Sequence, residues 1–310
     1  MKLAILTAWS LLLAVPAFGT SAAETAGSPV SEASGGPAAP NDSFPGILPD
    51  LAHLAHEAKR VQFSDMAAWS RFRFRRQVEQ QRLGGAGEVR EQSFLDFVIR
   101  PAAEGFDEQL VGINGRIPTP REVSQHRRQA RFSRHYTTAQ SGGAGGGEEA
   151  GYTLGTLLRM STYRYAGEEQ IEGSRCHRLD FGPGNRGDLQ GVEGRLAEAM
   201  TGSLWITAEG FHLAQAVART VRPVPLALSI AKVNDLEIRM EAAPVTRDIW
   251  LPSRIDVRAN ARVSWVPVRK HTRYLYSDFQ PLFDETHPGS DAVPAAGSAA
   301  LGATLAPAAP

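Results

Sequence analysis

From residue 201 onward, apolar and polar residues alternate with a period of two over run after run. Gly202 to Thr207 is a short alternating run, and Ala208-Glu209-Gly210 reads as a turn. Phe211 to Val221 leaves that turn as a second strand. Further alternation follows at Leu226 to Ile230, Leu236 to Met240, Ile255 to Val263 and Arg273 to Phe279. Successive side chains of a strand point to opposite faces, so this spacing predicts consecutive antiparallel strands that share one apolar face. Such a face either fills a core with its own side chains or lines a cavity for a hydrophobic guest.

The same reading applies upstream. Pro49 to Arg60 has helical spacing through Leu51, Leu54, Ala55 and Ala58. Ala68 to Val78 is predicted as a strand with Phe72, Phe74 and Val78 on one face and Arg71, Arg73 and Arg75 on the other, wet face. Leu83 to Gly87 is a turn. Val89 to Arg100 is a strand apolar on both faces near its end, as in a covered central strand. Phe106 to Ile113 is a third strand, ending at the Asn114-Gly115 turn signal. Thr119 is an N-cap with Pro120 behind it and Glu122 three residues on, so a helix is predicted from there to about His135. Tyr152 to Met160 and Val192 to Met200 are further short helices. Thr162 to Glu168 and Ser174 to Phe181 form a hairpin through Glu172-Gly173. No fixed-period repeat occurs, and strands do not alternate with helices, which argues against a parallel doubly wound sheet. The fold class is α+β, mainly β: a curved antiparallel sheet closed by short helices over a hydrophobic cavity.

Candidate lining positions of that cavity are apolar residues of one parity on each strand: Phe72 and Phe74, Leu95 and Phe97, Leu204 and Ile206, Leu213 and Val217, Ile238 and Met240, Ile255 and Val257. The competing reading is that these side chains simply fill a core.

Composition narrows the class. Basic and acidic residues balance at 33 each, which argues against a nucleic-acid footprint. Residues 1–23 read as a secretory signal peptide, with Lys2, an apolar run from Leu3 to Val15, and small residues at Ser21-Ala22-Ala23. The expected location is the periplasm. The only cysteine, Cys176, stands far from the cleavage point, so neither lipidation nor an internal disulfide is expected. Residues 24–43 read as a disordered lead and 285–310 as an Ala/Pro/Gly-rich tail, leaving one domain over 44–284.

Catalytic spacing is sparse. No GxSxG, SxxK or HExxH pattern occurs. His53 and His56 share a helix face but lack a third ligand. Cys176 and His177, adjacent on a strand, point to opposite faces and do not form a nucleophile–base pair. Glu168, Glu169 and Glu172 cluster near a turn with no acid opposite them. No catalytic residue, metal or cofactor is expected.

Several motifs carry a resemblance. They are Gly115-Arg116-Ile117-Pro118-Thr119-Pro120-Arg121-Glu122 before a basic helix, and Tyr165 to Gly173 leading into Cys176 to Pro183. Gly202-Ser203-Leu204-Trp205-Ile206, Asp248-Ile249-Trp250-Leu251-Pro252-Ser253 and Tyr276-Ser277-Asp278-Phe279 follow. Over nearly all of Phe44 to Phe283 the chain resembles the periplasmic lipoprotein-localisation superfamily, the LolA/LolB-like outer-membrane lipoprotein-sorting proteins. The resemblance implies a half-barrel over a hydrophobic cavity that holds lipid or lipoprotein acyl chains without catalysis. A monomer is expected. Relatives of that fold sense envelope stress, so an envelope protein-interaction or sensing module on the same scaffold is the alternative expectation.

Overall fold

The computed structural model describes residues 50–102, 105–128, 162–184, 195–196, 198–227 and 231–282. The expected signal peptide, lead and tail, the helix expected at Tyr152 to Met160, and part of the one expected at Val192 to Met200 lie outside these residues.

Helix α1 spans Leu51–Ala68. The Asp50 carboxylate caps it by accepting a hydrogen bond from the Ala52 amide at 3.0 Å. Leu54, Ala58, Val61, Asp65 and Ala68 form its buried stripe. The helix therefore runs well past the predicted stop at Arg60, because the stripe continues. Asp65, a polar residue in a core position, concealed that continuation from a hydrophobic count. A 3-10 turn over Trp69–Arg71 then delivers the chain into β1 (Phe72–Leu83), so the strand starts four residues later than Ala68.

The remaining strands are β2 (Val89–Ala102), β3 (Gly105–Ile113), β4 (Thr162–Ile171), β5 (Ser174–Gly182), β6 (Met200–Thr207), β7 (Leu213–Thr220), β8 (Val224–Ala227), β9 (Ala231–Thr246), β10 (Ile249–Val263) and β11 (Val266–Pro281). Met200, expected at a helix end, opens β6. All pair antiparallel in one sheet of order β3-β2-β1-β11-β10-β9-β7-β6-β5-β4, with β8 attached to β9. The Asn114-Gly115 turn has positive φ at both residues (49° and 76°), as that dipeptide predicts. Helix α2 begins at residue 120 and is described through residue 128. It carries the expected capping box: the Thr119 amide donates to Glu122 at 2.8 Å, and the Glu122 amide donates to the Thr119 hydroxyl at 3.4 Å.

The sheet is mainly β architecture with two free ends, β3 and β4, so it is not closed into a barrel. It wraps around α1. Ten strands laid flat at about 4.8 Å would span roughly 43 Å, whereas an 18-residue helix is about 27 Å long. Even so, Leu54 and Ala58 pack in a cluster with residues of β5, β6, β7, β9 and β10, and Ala68 packs in one drawn from β1, β2, β3 and β10. Register shifts leave an extra residue in β2, β3, β4, β7, β9, β10 and β11, and these bulges bend the strands.

The two faces differ in kind. On the concave face, beside α1, lie three apolar clusters: the α1–β5–β7–β9 group, the Phe-rich β1–β3 group, and a small Ala/Val group of Val224, Ala231, Val233, Ala261 and Val268 near the β10–β11 turn. The convex face carries charge. Arg273 bonds both Glu79 (3.1 Å) and Asp256 (3.0 Å), and Asp256 is also held by Arg254 and His271. Arg178 bonds Glu169 and Asp180, each at 2.9 Å, and Ser203 donates to Asp180 at 2.7 Å.

Candidate functional site

The structure divides the expected lining residues between two clusters of the concave face. Phe72, Phe74, Leu95 and Phe97 are buried in the β1–β3 cluster. Leu204, Ile206, Leu213, Met240 and Ile255 are buried in the α1–β5–β7–β9 cluster, and Ile238 and Val257 lean against it half-buried. Val217 is the exception. It pairs with Ser203 and Arg239, both on the charged face, so its side chain points away from α1. The run Leu213 to Val217 contains a register shift opposite Trp205/Ile206, and this shift breaks the simple parity that placed Leu213 and Val217 together.

Two largely covered cations among the described residues interrupt the concave face, and the sequence reading assigned neither to it. Arg76 sits between Phe74 and Val78 on β1. It bonds Glu108 at 2.9 Å and lies over the Phe97 ring at 4.9 Å. His126 of α2 lies tilted against the same Phe97 ring at 5.0 Å, and its buried Nε2 has no hydrogen-bond partner among the described residues. Burial pushes the His126 imidazole below its ordinary range against the pull of Glu108, with Arg76 adding to the depression. The second cation is Lys270 on β11, between Val268 and Tyr274 in the same parity as Thr272. Lys270 is 7 % exposed and Thr272 8 %. Arg82 is the cross-strand neighbour of Lys270 on β1, and Ala259 is its neighbour on β10. The alternation of β11 (Val268, Lys270, Thr272, Tyr274, Tyr276) held this signal: a lysine on the apolar parity of a chain with four lysines in all.

The convex face opens into a shallow groove of about 680 Å³ between β4 and β9. Arg164, Arg178, Asp180, Trp205, Arg219 and Arg239 line it. Burial alone would raise Asp180, but the hydrogen bonds from Ser203, Arg178 and Arg164 hold its carboxyl below the usual range. Asp256 follows the same balance, with Arg254, His271 and Arg273 outweighing burial. These carboxylates are fixed anions in ion-pair ladders rather than poised proton carriers.

Cys176 is buried, and burial pushes its thiol up, which keeps it protonated and unreactive. It pairs across the sheet with Thr207, while His177 faces Tyr165 at 3.4 Å and Glu168 at 3.4 Å. His53 makes an edge contact with Phe211 at 6.0 Å. Among the described residues, no group of three or more His, Cys, Asp or Glu side chains is arranged to hold a metal ion. No helix among them is long and apolar enough to cross a membrane.

Fold and faces together define a single-sheet protein with one apolar, helix-covered side and one ionic side. Among solved structures, the chain is similar to a DUF1329 family protein from Desulfovibrio piger, at 13 % identity and TM-score 0.34, covering 74 % of this chain and 92 % of that one. It is similar to a LolA superfamily protein from Nitrosomonas europaea, at 11 % identity and TM-score 0.31, covering 75 % and 93 %. It is also similar to a putative outer membrane lipoprotein-sorting protein domain from Vibrio parahaemolyticus, at 10 % identity and TM-score 0.35, covering 74 % and 95 %. No family model and no curated protein matches the chain. What the site can do follows from this chain's own residues.

Proposed function

We propose that the protein is a periplasmic binding or carrier protein for a hydrophobic ligand, a lipid or the acyl chains of a lipoprotein, held on the concave face without catalysis. The observation that carries this reading is the sorting of the sheet. One face gathers aromatic and aliphatic side chains from nearly every strand, and α1 contributes to two of its three clusters but not to the third. Ile238, Val257, Tyr274 and Tyr276 remain only half-buried there. Each methylene moved from water onto such a surface contributes about 0.8 kcal/mol, so a long acyl chain binds with no need of a reactive group. The ionic convex face keeps the protein in water while the other side carries its cargo.

Purified protein is expected to carry lipid in native mass spectrometry and to bind the neutral apolar probe N-phenyl-1-naphthylamine. Val257→Trp, which fills space beside α1 from a half-buried position, should weaken probe binding about tenfold or more while circular dichroism is unchanged. Protein with neither copurified lipid nor probe binding would sink the reading. The groove around Trp205 favours a second reading, docking of an envelope protein on the ionic face. Charge reversal at Arg219 would then abolish partner capture and leave probe binding intact.

A further inference from the structure

We propose that Lys270 is the anchor for the anionic head of a bound amphiphile, so that the ligand of the concave face is an acidic lipid, a fatty-acid or phosphate-headed chain, rather than a neutral one. The inference rests on the carrier reading above and narrows its ligand class.

The observation is an ammonium group without a counter-ion. Lys270 is 7 % exposed, yet among the described residues it has no hydrogen-bond or ion-pair partner, whereas Arg76 on the same face is matched to Glu108 at 2.9 Å. Long lysine side chains usually bury their stems and leave the nitrogen in water. Here the stem is covered and only the end of the chain is left to meet solvent on the concave face. Burial pushes its amine below the ordinary range, and Arg82 adds to that push, while Glu91 opposes it. Glu91 does not supply the missing partner, because it pairs with Arg82 across the β1–β2 ladder, at a loose 3.9 Å. A largely covered cation with no counter-ion among the described residues is completed most favourably by an anionic group.

The surroundings say what completes it. Val268 and Ala261 lie on one side of Lys270 along the same face, and Val257 and Ile238 lie on the other, across Ala259 and Thr272. Apolar surface therefore flanks a single positive charge and one buried hydroxyl. Arg82, the cross-strand neighbour, is about half exposed, so the strip ends in a second cation that meets solvent. One anionic group joined to a hydrocarbon chain satisfies both features: the head meets Lys270, with Thr272 and Arg82 beside it, and the chain lies along the half-buried aliphatic residues toward α1.

The test is displacement of N-phenyl-1-naphthylamine by dodecanoate, dodecyl phosphate and dodecanol from the wild type, Lys270→Met and Lys270→Arg, with acetate and inorganic phosphate as chainless anions. Wild type should prefer the two acids over the alcohol by about 10- to 100-fold, the range of one charge-assisted hydrogen bond. The ranking of dodecanoate against dodecyl phosphate identifies the head. Lys270→Met should bring the acids down to the alcohol, leave the alcohol unchanged, and melt no lower than wild type, since it removes a largely covered charge that has no counter-ion among the described residues. Lys270→Arg should restore part of the preference. Equal binding of acid and alcohol by wild type, or a preference that survives in Lys270→Met, overturns the anchor and leaves the carrier reading standing. Displacement by acetate or phosphate at the same concentrations overturns the amphiphile. Absence of probe binding in every protein removes the carrier reading and the anchor with it.

Discussion

At the scale of single residues, the sheet shows where size rather than polarity is the constraint. Gly202 on β6 stands opposite Ala218 and beside Phe181. A Cβ at that position would lie 1.9 Å from the Val217 carbonyl oxygen and 2.9 Å from the Phe181 ring. The first contact is backbone, so no rotamer change relieves it. Gly202→Ala is therefore expected to cost about 1–3 kcal/mol through forced strand separation, read as a lower urea midpoint at unchanged slope. An unaltered midpoint would mean that β6 and β7 slide apart without penalty. The sequence showed Gly202 only as the start of an alternating run, because close approach of a neighbouring backbone leaves no trace in hydropathy. Charge on an apolar parity does leave one. Arg76 and Lys270 each occupy a position where strand alternation calls for an apolar side chain, and a count of mismatches to the period-two template would have marked both.

At the scale of elements, the attachment of α1 decides how the concave face is covered. Its last turns are tied by one side chain. Asp65, 4 % exposed, accepts a hydrogen bond from His212 Nδ1 at 2.8 Å and another from the Trp250 amide at 3.2 Å. The His212 and Trp250 rings stack at 5.8 Å. Helix, β7 entry and β10 entry thus meet at a single carboxylate. Asp65→Ala leaves a buried donor on His212 and a part-buried one on Trp250 unmatched and should lower stability by about 2–4 kcal/mol, whereas removal of the exposed Glu57–Arg60 pair on the same helix should leave the urea midpoint where it is. Equal effects of the two substitutions would show that the junction holds nothing. The start of α1 was legible from its spacing and its end was not. The final turns are fixed by this long-range contact, between residues 147 positions apart, rather than by any local stop signal. The α2 start, by contrast, is a local device, and Thr119-x-x-Glu122 declared it outright.

At the scale of the whole molecule, every described strand belongs to one sheet, and the order of that sheet sets where it opens. Strands β9 and β10 lie at the centre of the ten-strand path, with the longest unbroken run of neighbours on either side, while β3 and β4 have one neighbour each. The ends are guarded rather than strong. β4 carries a register shift between Tyr165 and Gly167, with Gly167 at a φ of 115°, and presents Arg164, Glu168 and Glu169 along a free edge. A bulge and charges of this kind discourage pairing with another chain, at the expense of local stability. The antiparallel, mainly β class was legible from alternation alone. The neighbour relations β1–β11 and β7–β9 were not, because nothing in either strand's own sequence names a partner some 200 or 20 residues away. If the sheet is one cooperative unit wrapped on α1, native-state hydrogen exchange should be slowest in β9 and β10, at the free energy of global unfolding, and should quicken outward in order to β3 and β4. Binding of an apolar ligand on the concave face adds contacts to the half-buried residues of β9, β10 and β11. Protection should then rise there first and leave β4 unchanged. Exchange in β10 as fast as in β4 would divide the sheet into independent halves. A ligand that protects β4 rather than β10 would move the binding site off the concave face.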